Sequence, residues 1–286
     1  MLLEQAKPFS ESTKTYKTAD IILLGIPLDV TVSFRPGTRF APSAIREISW
    51  HLEDYDYLTD KNILDVPFFD IGNVSLKGNL ESNLSEARYV IKRILDERKL
   101  PVSLGGEHLI TFPILQAMSK HYPDLHVLVF DAHTDVSDNY RNLYLSHSTV
   151  MKLVYNLLGE NRIFMFGTRS GTKDDKQFIK GKIFSSYEPP SSKLLEKLKY
   201  KPVYISIDVD VLDPVVAPGV STPELMGWKY EDLYETIRRF RKLKKIVGFD
   251  ITEICPPYDQ AGVTTLIGAK VIREILFLLH RNRKNA

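Results

Sequence analysis

An α/β protein, built as three α/β/α layers around a central, mostly parallel sheet, is predicted by three features of this 286-residue sequence. Apolar, β-branched runs of strand length recur along it. Amphipathic stretches of helical period separate many of the runs, and three runs end in motifs crowded with Asp and His. A run that is apolar throughout belongs to a strand buried on both faces. A helix between successive strands makes them parallel and covers the sheet.

Residues 21–26 form the first predicted strand, apolar except for Gly25. Residues 84–98 follow as a helix, with Leu84, Ala87, Ile91 and Ile94 at three- and four-residue steps. The run 100–104 is a strand, 111–121 a helix, and 127–130 and 163–166 two further strands. Leu194, Leu195 and Leu198 mark a helix over 191–199, and 203–207 is a strand. Leu233, Ile237 and Phe240 give a helix over 230–240, then 246–251 is a strand and 264–279 a helix. Ligand-rich motifs end only a few strands, which favours an open sheet over a barrel. No linker composition divides the chain, so one domain over 1–286 is expected.

A hydrophobic share of 43% is ample for a large core, yet no stretch approaches the roughly 20 apolar residues that span a bilayer. Residues 1–20 lack a basic start followed by an apolar segment, so no secretory signal is read and a cytoplasmic location is expected. The single cysteine, Cys255, has no partner for an intramolecular disulfide and reads as a small buried residue. The net charge is +2 with Lys and Arg dispersed, which supports neither a nucleic-acid nor a membrane partner. Arg281, Arg283 and Lys284 read as a solvated basic tail.

The chemistry lies in three motifs, each closing an apolar run: Gly105-Gly106-Glu107-His108, Asp131-Ala132-His133-Thr134-Asp135, and Asp208-Val209-Asp210 continuing to Asp213-Pro214. Side chains alternate along extended backbone, so Asp131, His133 and Asp135 are expected to share one side of a strand end, as are Asp208 and Asp210. With His108 these make six candidate metal ligands, His108, Asp131, His133, Asp135, Asp208 and Asp210. Four carboxylates balance two divalent cations, and mixed carboxylate and imidazole donors suit Mn2+ first, then Fe, Co or Zn. Helix capping, the ordinary role of isolated Asp residues, does not explain three motifs placed at three strand ends.

These strings resemble the signature motifs of the ureohydrolases, the arginase and agmatinase superfamily. The resemblance runs from Gly25-Ile26-Pro27-Leu28-Asp29 and Phe34-Arg35-Pro36-Gly37-Thr38-Arg39-Phe40 to Glu253-Ile254-Cys255-Pro256-Pro257-Tyr258-Asp259, and its details are similar to the agmatinase branch. It implies two Mn2+ per subunit, one held by His108, Asp131, Asp135 and Asp208, the other by Asp131, His133, Asp208 and Asp210. It implies that Glu253 binds the guanidinium, that His147 relays protons, that Asp213 is structural, and that the protein is a homo-oligomer, a trimer or hexamer. The chain departs from the pattern at Val220 and Ser221, where agmatinases usually carry Thr and Gly, and at Ser148, where Gly or Ala commonly follows the histidine.

The expected reaction is Mn-dependent hydrolysis of a guanidino substrate, agmatine first, to putrescine and urea by a metal-bridging hydroxide. A guanidinium is a poor electrophile, so it requires that nucleophile together with a carboxylate, Glu253, to orient it, while Asp135 passes a proton to the departing amine. N1-aminopropylagmatine, arginine and guanidino acids are the substrate alternatives; a metal-dependent deacetylase or a silent homologue are the alternatives of class. His51, His121, His126 and His280 read as surface or packing residues, and Tyr140, Tyr144 and Trp228 as either pocket or core.

Overall fold

A computed structural model of the protein describes residues 3–10, 12 and 14–284. Met1, Leu2, Glu11 and Thr13 of the 1–20 stretch, and Asn285 and Ala286, lie outside the described residues. The strands are β1 (Leu3–Glu4), β2 (Ile21–Ile26), β3 (Tyr55–Asp56), β4 (Lys61–Asn62), β5 (Phe68–Val74), β6 (Leu100–Gly105), β7 (His126–Phe130), β8 (Ile163–Phe166), β9 (Phe184–Ser186), β10 (Val203–Asp208) and β11 (Ile246–Thr252). The α-helices are α1 (Ala41–Ser49), α2 (Leu80–Asp96), α3 (Thr111–His121), α4 (Val150–Leu158), α5 (Lys173–Ile179), α6 (Ser192–Lys197), α7 (Tyr230–Arg239) and α8 (Val263–Lys284).

Nine strands form one sheet in the order β1-β5-β2-β6-β11-β10-β7-β8-β9. Every neighbouring pair is parallel except β1 with β5. Alternate side chains of each strand enter separate cores on the two faces. Ile21 and Leu23, Leu128 and Phe130, and Ile205 and Ile207 join Ile45, Leu233 and Ile272 on one side. Ile22 and Leu24, with Val127 and Val129, join Ile91, Ile114 and Val154 on the other. This division explains why the central strands are buried at every position and mostly apolar, and it produces the three expected layers.

Strand β5 escaped the sequence reading because Asp70 interrupts its apolar run. That carboxylate is buried in a bidentate pair with Arg46, Nε to Oδ2 at 2.7 Å and Nη2 to Oδ1 at 2.9 Å. Helices α1, α4 and α5 also lay outside it. Arg281, Arg283 and Lys284 are not a tail but the last turn of α8. Among the described residues, no helix is long and apolar enough to cross a membrane.

The topology places the site. The chain fills the outer positions of the sheet before β10 and β11 enter between β7 and β6. The carboxyl ends of those four central strands lie where the strand order jumps, the position at which open α/β sheets form their crevice. A Cβ on Gly106 would collide with the backbone of Leu28, so glycine lets the ends of β2 and β6 close on each other there.

Candidate metal centre

Each motif leaves its strand through a turn, and the turns, rather than strand alternation, bring the side chains together. His108 opens a 3-10 turn after β6, and Asp210 sits in another, Val209–Val211, after β10. Asp135 and Glu253 adopt left-handed backbone, φ 47° and 64°. Non-glycine residues occupy that region at a cost of order 1–3 kcal/mol, which the surrounding structure must offset.

His108 Nδ1 faces three carboxylates, Asp131 Oδ2 at 3.0 Å, Asp135 Oδ2 at 3.1 Å and Asp208 Oδ2 at 3.5 Å. His133 Nδ1 lies 2.8 Å from Asp210 Oδ2 and 3.7 Å from Asp131 Oδ1. Two donor groups result, His108 with Asp131 and Asp135, and Asp131 with His133 and Asp210, each with candidate donor atoms within 4.8 Å of one another. Asp131 belongs to both. Asp208 stands outside these groups but beside them, its Oδ1 accepting the Asp210 N–H at 2.9 Å. Asp213 is structural in its contacts, accepting the N–H groups of Val215 and Gly227.

The donor set fits divalent cations. Asp131 Oδ2 is buried and, though close to His108 Nδ1, is aligned with no hydrogen-bond partner. His108 Nε2 is 3.1 Å from Ser206 Oγ, whose single proton goes to Asp250 Oδ1 at 2.6 Å. The Nε2–H therefore donates to Ser206, and Nδ1 is the atom turned toward the carboxylates. Tyr204 and Thr111 complete the cradle of Asp250 at 2.6 and 3.0 Å.

The electrostatics ask for positive charge. Burial pushes Asp135 up to about 7, assisted by the Asp131 charge, and carries Asp208 well above the usual carboxylate range. Burial acts to raise Asp131 too, but the His108 and His133 rings beside it hold it well below that range. Burial lowers His133, yet Asp210 and Asp131 together lift it to about 12. Carboxylates so crowded take up protons or divalent cations.

Glu253 stands at the edge of this cluster. Its Oε1 accepts the His108 N–H at 2.6 Å, Ser221 Oγ donates to its Oε2, and burial pushes the carboxyl up to about 8. Ser221 is one of the departures from the usual agmatinase string, and its hydroxyl lands on the acid that the resemblance assigns to the guanidinium. His147 is in neither donor group; it is half-buried against Thr31 and Tyr140. Burial, then the nearby His108 and His133, push it down to about 4.

Sequence reasoning gave no role to Thr31, Glu107, Ser206 and Asp250, although Glu107 and Ser206 lie in or beside the motifs, because their partners are joined to them only by the fold. Arg169 Nη2 donates to the carbonyls of Asp210 and Glu224, each at 2.8 Å, and so ties the third motif to the loop after it. Trp228 belongs to the core, packed on Phe130, while Tyr144 is exposed. Cys255 is buried with its thiol pushed up to about 12 by burial, consistent with a packing role.

The model of the arginase family matches residues 19–278. The chain belongs to the arginase family. Within it, the chain is 40% identical over 276 residues to the agmatinase of Bacillus subtilis, covering 94% of this chain and 95% of that one. It is 34% identical to a guanidinobutyrase of Pseudomonas aeruginosa, covering 95% of this chain and 90% of that one. The crystal structure of agmatine ureohydrolase of Thermoplasma volcanium superposes with a TM-score of 0.88 at 31% identity, over 99% of this chain and 97% of that one. The arginase-family enzymes use a binuclear metal centre, and the two donor groups sharing Asp131 are groups that could hold metal ions.

Proposed function

We propose that this arginase-family hydrolase converts agmatine to putrescine and urea, using two Mn2+ per subunit. The observation that carries the reading is the shared carboxylate: Asp131 stands between two cation-sized donor groups, with Glu253 beside them. His108, Asp131, Asp135 and Asp208 would hold one Mn2+, and Asp131, His133, Asp208 and Asp210 the other. Bound there, the pair would supply countercharge and Lewis acidity, making water acidic enough to serve as a nucleophile near neutral pH.

The protein's own groups do the rest. Glu253 accepts paired N–H bonds from the guanidinium and fixes its carbon. Asp135 moves a proton from the attacking oxygen to the departing amine, which leaves only when protonated. His147 exchanges protons with solvent. Ser221 keeps the Glu253 carboxylate in one orientation; Ser221→Ala is expected to weaken inhibition by guanidinium ion about tenfold, in line with loss of one charge-assisted hydrogen bond. An unchanged inhibition constant would leave Ser221 without that role.

Agmatine is favoured by the similarity to agmatinases, while the guanidinobutyrase at 34% identity keeps guanidino acids as the second reading. We further infer one domain over residues 1–286, a homo-oligomer, trimer or hexamer, and a cytoplasmic location. Urea release from Mn-loaded protein given agmatine, N1-aminopropylagmatine, arginine and 4-guanidinobutyrate tests the substrate. Preference for agmatine is expected; preference for an acid transfers the reading to guanidino acids, and no urea from any of them overturns it.

A further inference from the structure

A hydrogen-bonded chain built from Glu107 and Thr31 ends on His147. Glu107 is 0% exposed. Its Oε2 accepts the N–H groups of Val30 and Thr31, both at 2.8 Å, and its Oε1 accepts the Thr31 hydroxyl at 2.8 Å. Three donors thus converge on the carboxylate, two on one oxygen and one on the other.

A threonine hydroxyl has one proton and two lone pairs. Thr31 gives its proton to Glu107. One lone pair takes the backbone N–H of His147 at 3.0 Å, and the other faces His147 Nδ1 at 3.1 Å. With its proton already committed, Thr31 can only accept from Nδ1, so Nδ1 carries a hydrogen and the neutral ring leaves Nε2 bare. Ser146 caps the turn His147–Thr149, which places the backbone of His147 against Thr31. The ring of Tyr140 meets the imidazole edge-on, centroids 5.4 Å apart, and limits its rotation.

We infer that Thr31, backed by Glu107, is a positioning residue that fixes the Nδ1–H tautomer of His147 and presents the Nε2 lone pair for proton transfer. The inference rests on the proposed hydrolysis with His147 as its proton relay. The proton balance closes: incoming water gives a proton to Nε2, which releases it to solvent, and the neutral amine product takes one proton from solvent. The Nδ1 hydrogen stays in place throughout. Without the Thr31 hydroxyl, the hydrogen is free to move to Nε2, and a ring in that form offers no base at the site.

The test uses protein 15N-labelled at histidine and loaded with diamagnetic Zn2+, where long-range 1H–15N correlation distinguishes the two tautomers. The His147 signals are identified by their loss in His147→Asn. Wild type and Thr31→Ser should show a protonated Nδ1 and a bare Nε2. Thr31→Val should lose that preference, and in the Mn-loaded enzyme its kcat with agmatine should fall about 10- to 100-fold with KM nearly unchanged. Thr31→Ser should recover most of the rate. A wild-type ring protonated at Nε2 overturns the inference whatever the variants do, as does a Thr31→Val enzyme with wild-type kcat. If Thr31→Val does not fold, the wild-type and Thr31→Ser spectra decide. Wild-type protein that releases no urea defeats the functional reading instead, and the spectrum still decides the tautomer.

Discussion

Asp131→Asn is expected to give a folded protein that retains neither Mn2+ tightly and releases urea at less than about one thousandth of the wild-type rate, a loss of several kcal/mol of stabilisation. Asn has nearly the same shape, so the packing at the end of β7 survives. What changes is charge. Asp131 is common to both donor groups, and its Oδ2, without a hydrogen-bond partner, is the oxygen with most to give a cation. An amide removes one negative charge from both positions at once. Circular dichroism checks the fold, elemental analysis the metal, and a colorimetric assay the urea. Full metal content with wild-type turnover would remove Asp131 from the ligand set.

Glu253→Gln should separate catalysis from metal binding. The glutamine oxygen can still accept the His108 N–H, and its NH2 can donate to Ser221 Oγ, because a hydroxyl rotates to accept as readily as it donates. His108 therefore keeps its place and both Mn2+ remain. Toward substrate, the edge that accepted a pair of guanidinium N–H groups now offers a donor on one side. With the carbon misaligned and its countercharge gone, kcat/KM should fall roughly 100- to 1000-fold. Metal content equal to wild type with that loss is the expected pair of results. Equal activity would deny Glu253 the guanidinium, and lost metal would make it a ligand or a support for His108.

The sequence was most legible where a residue's setting follows from its immediate neighbours. Strands β2, β6, β7, β8, β10 and β11 are buried on both faces, so each position reports the same environment. β5 was hidden because Asp70 is neutralised by Arg46, a residue on another element. The metal-site candidates were visible as motifs, but the reason they converge was not. Strand alternation suggested it; the structure uses the left-handed backbone of Asp135 and the 3-10 turn at Asp210. The roles of Ser206, Asp250, Glu107 and Thr31 were invisible because their partners are distant in sequence. Thr31 and His147, 116 residues apart, meet only because the loops after β2 and β7 reach toward each other over the ends of the strands between them.

The most direct measurement is anomalous X-ray diffraction at the manganese edge from crystals of the Mn-loaded protein. The account predicts two peaks per subunit flanking the Asp131 carboxylate, one beside His108 Nδ1 and the other beside His133 Nδ1. A single peak, or peaks away from Asp131, would contradict it.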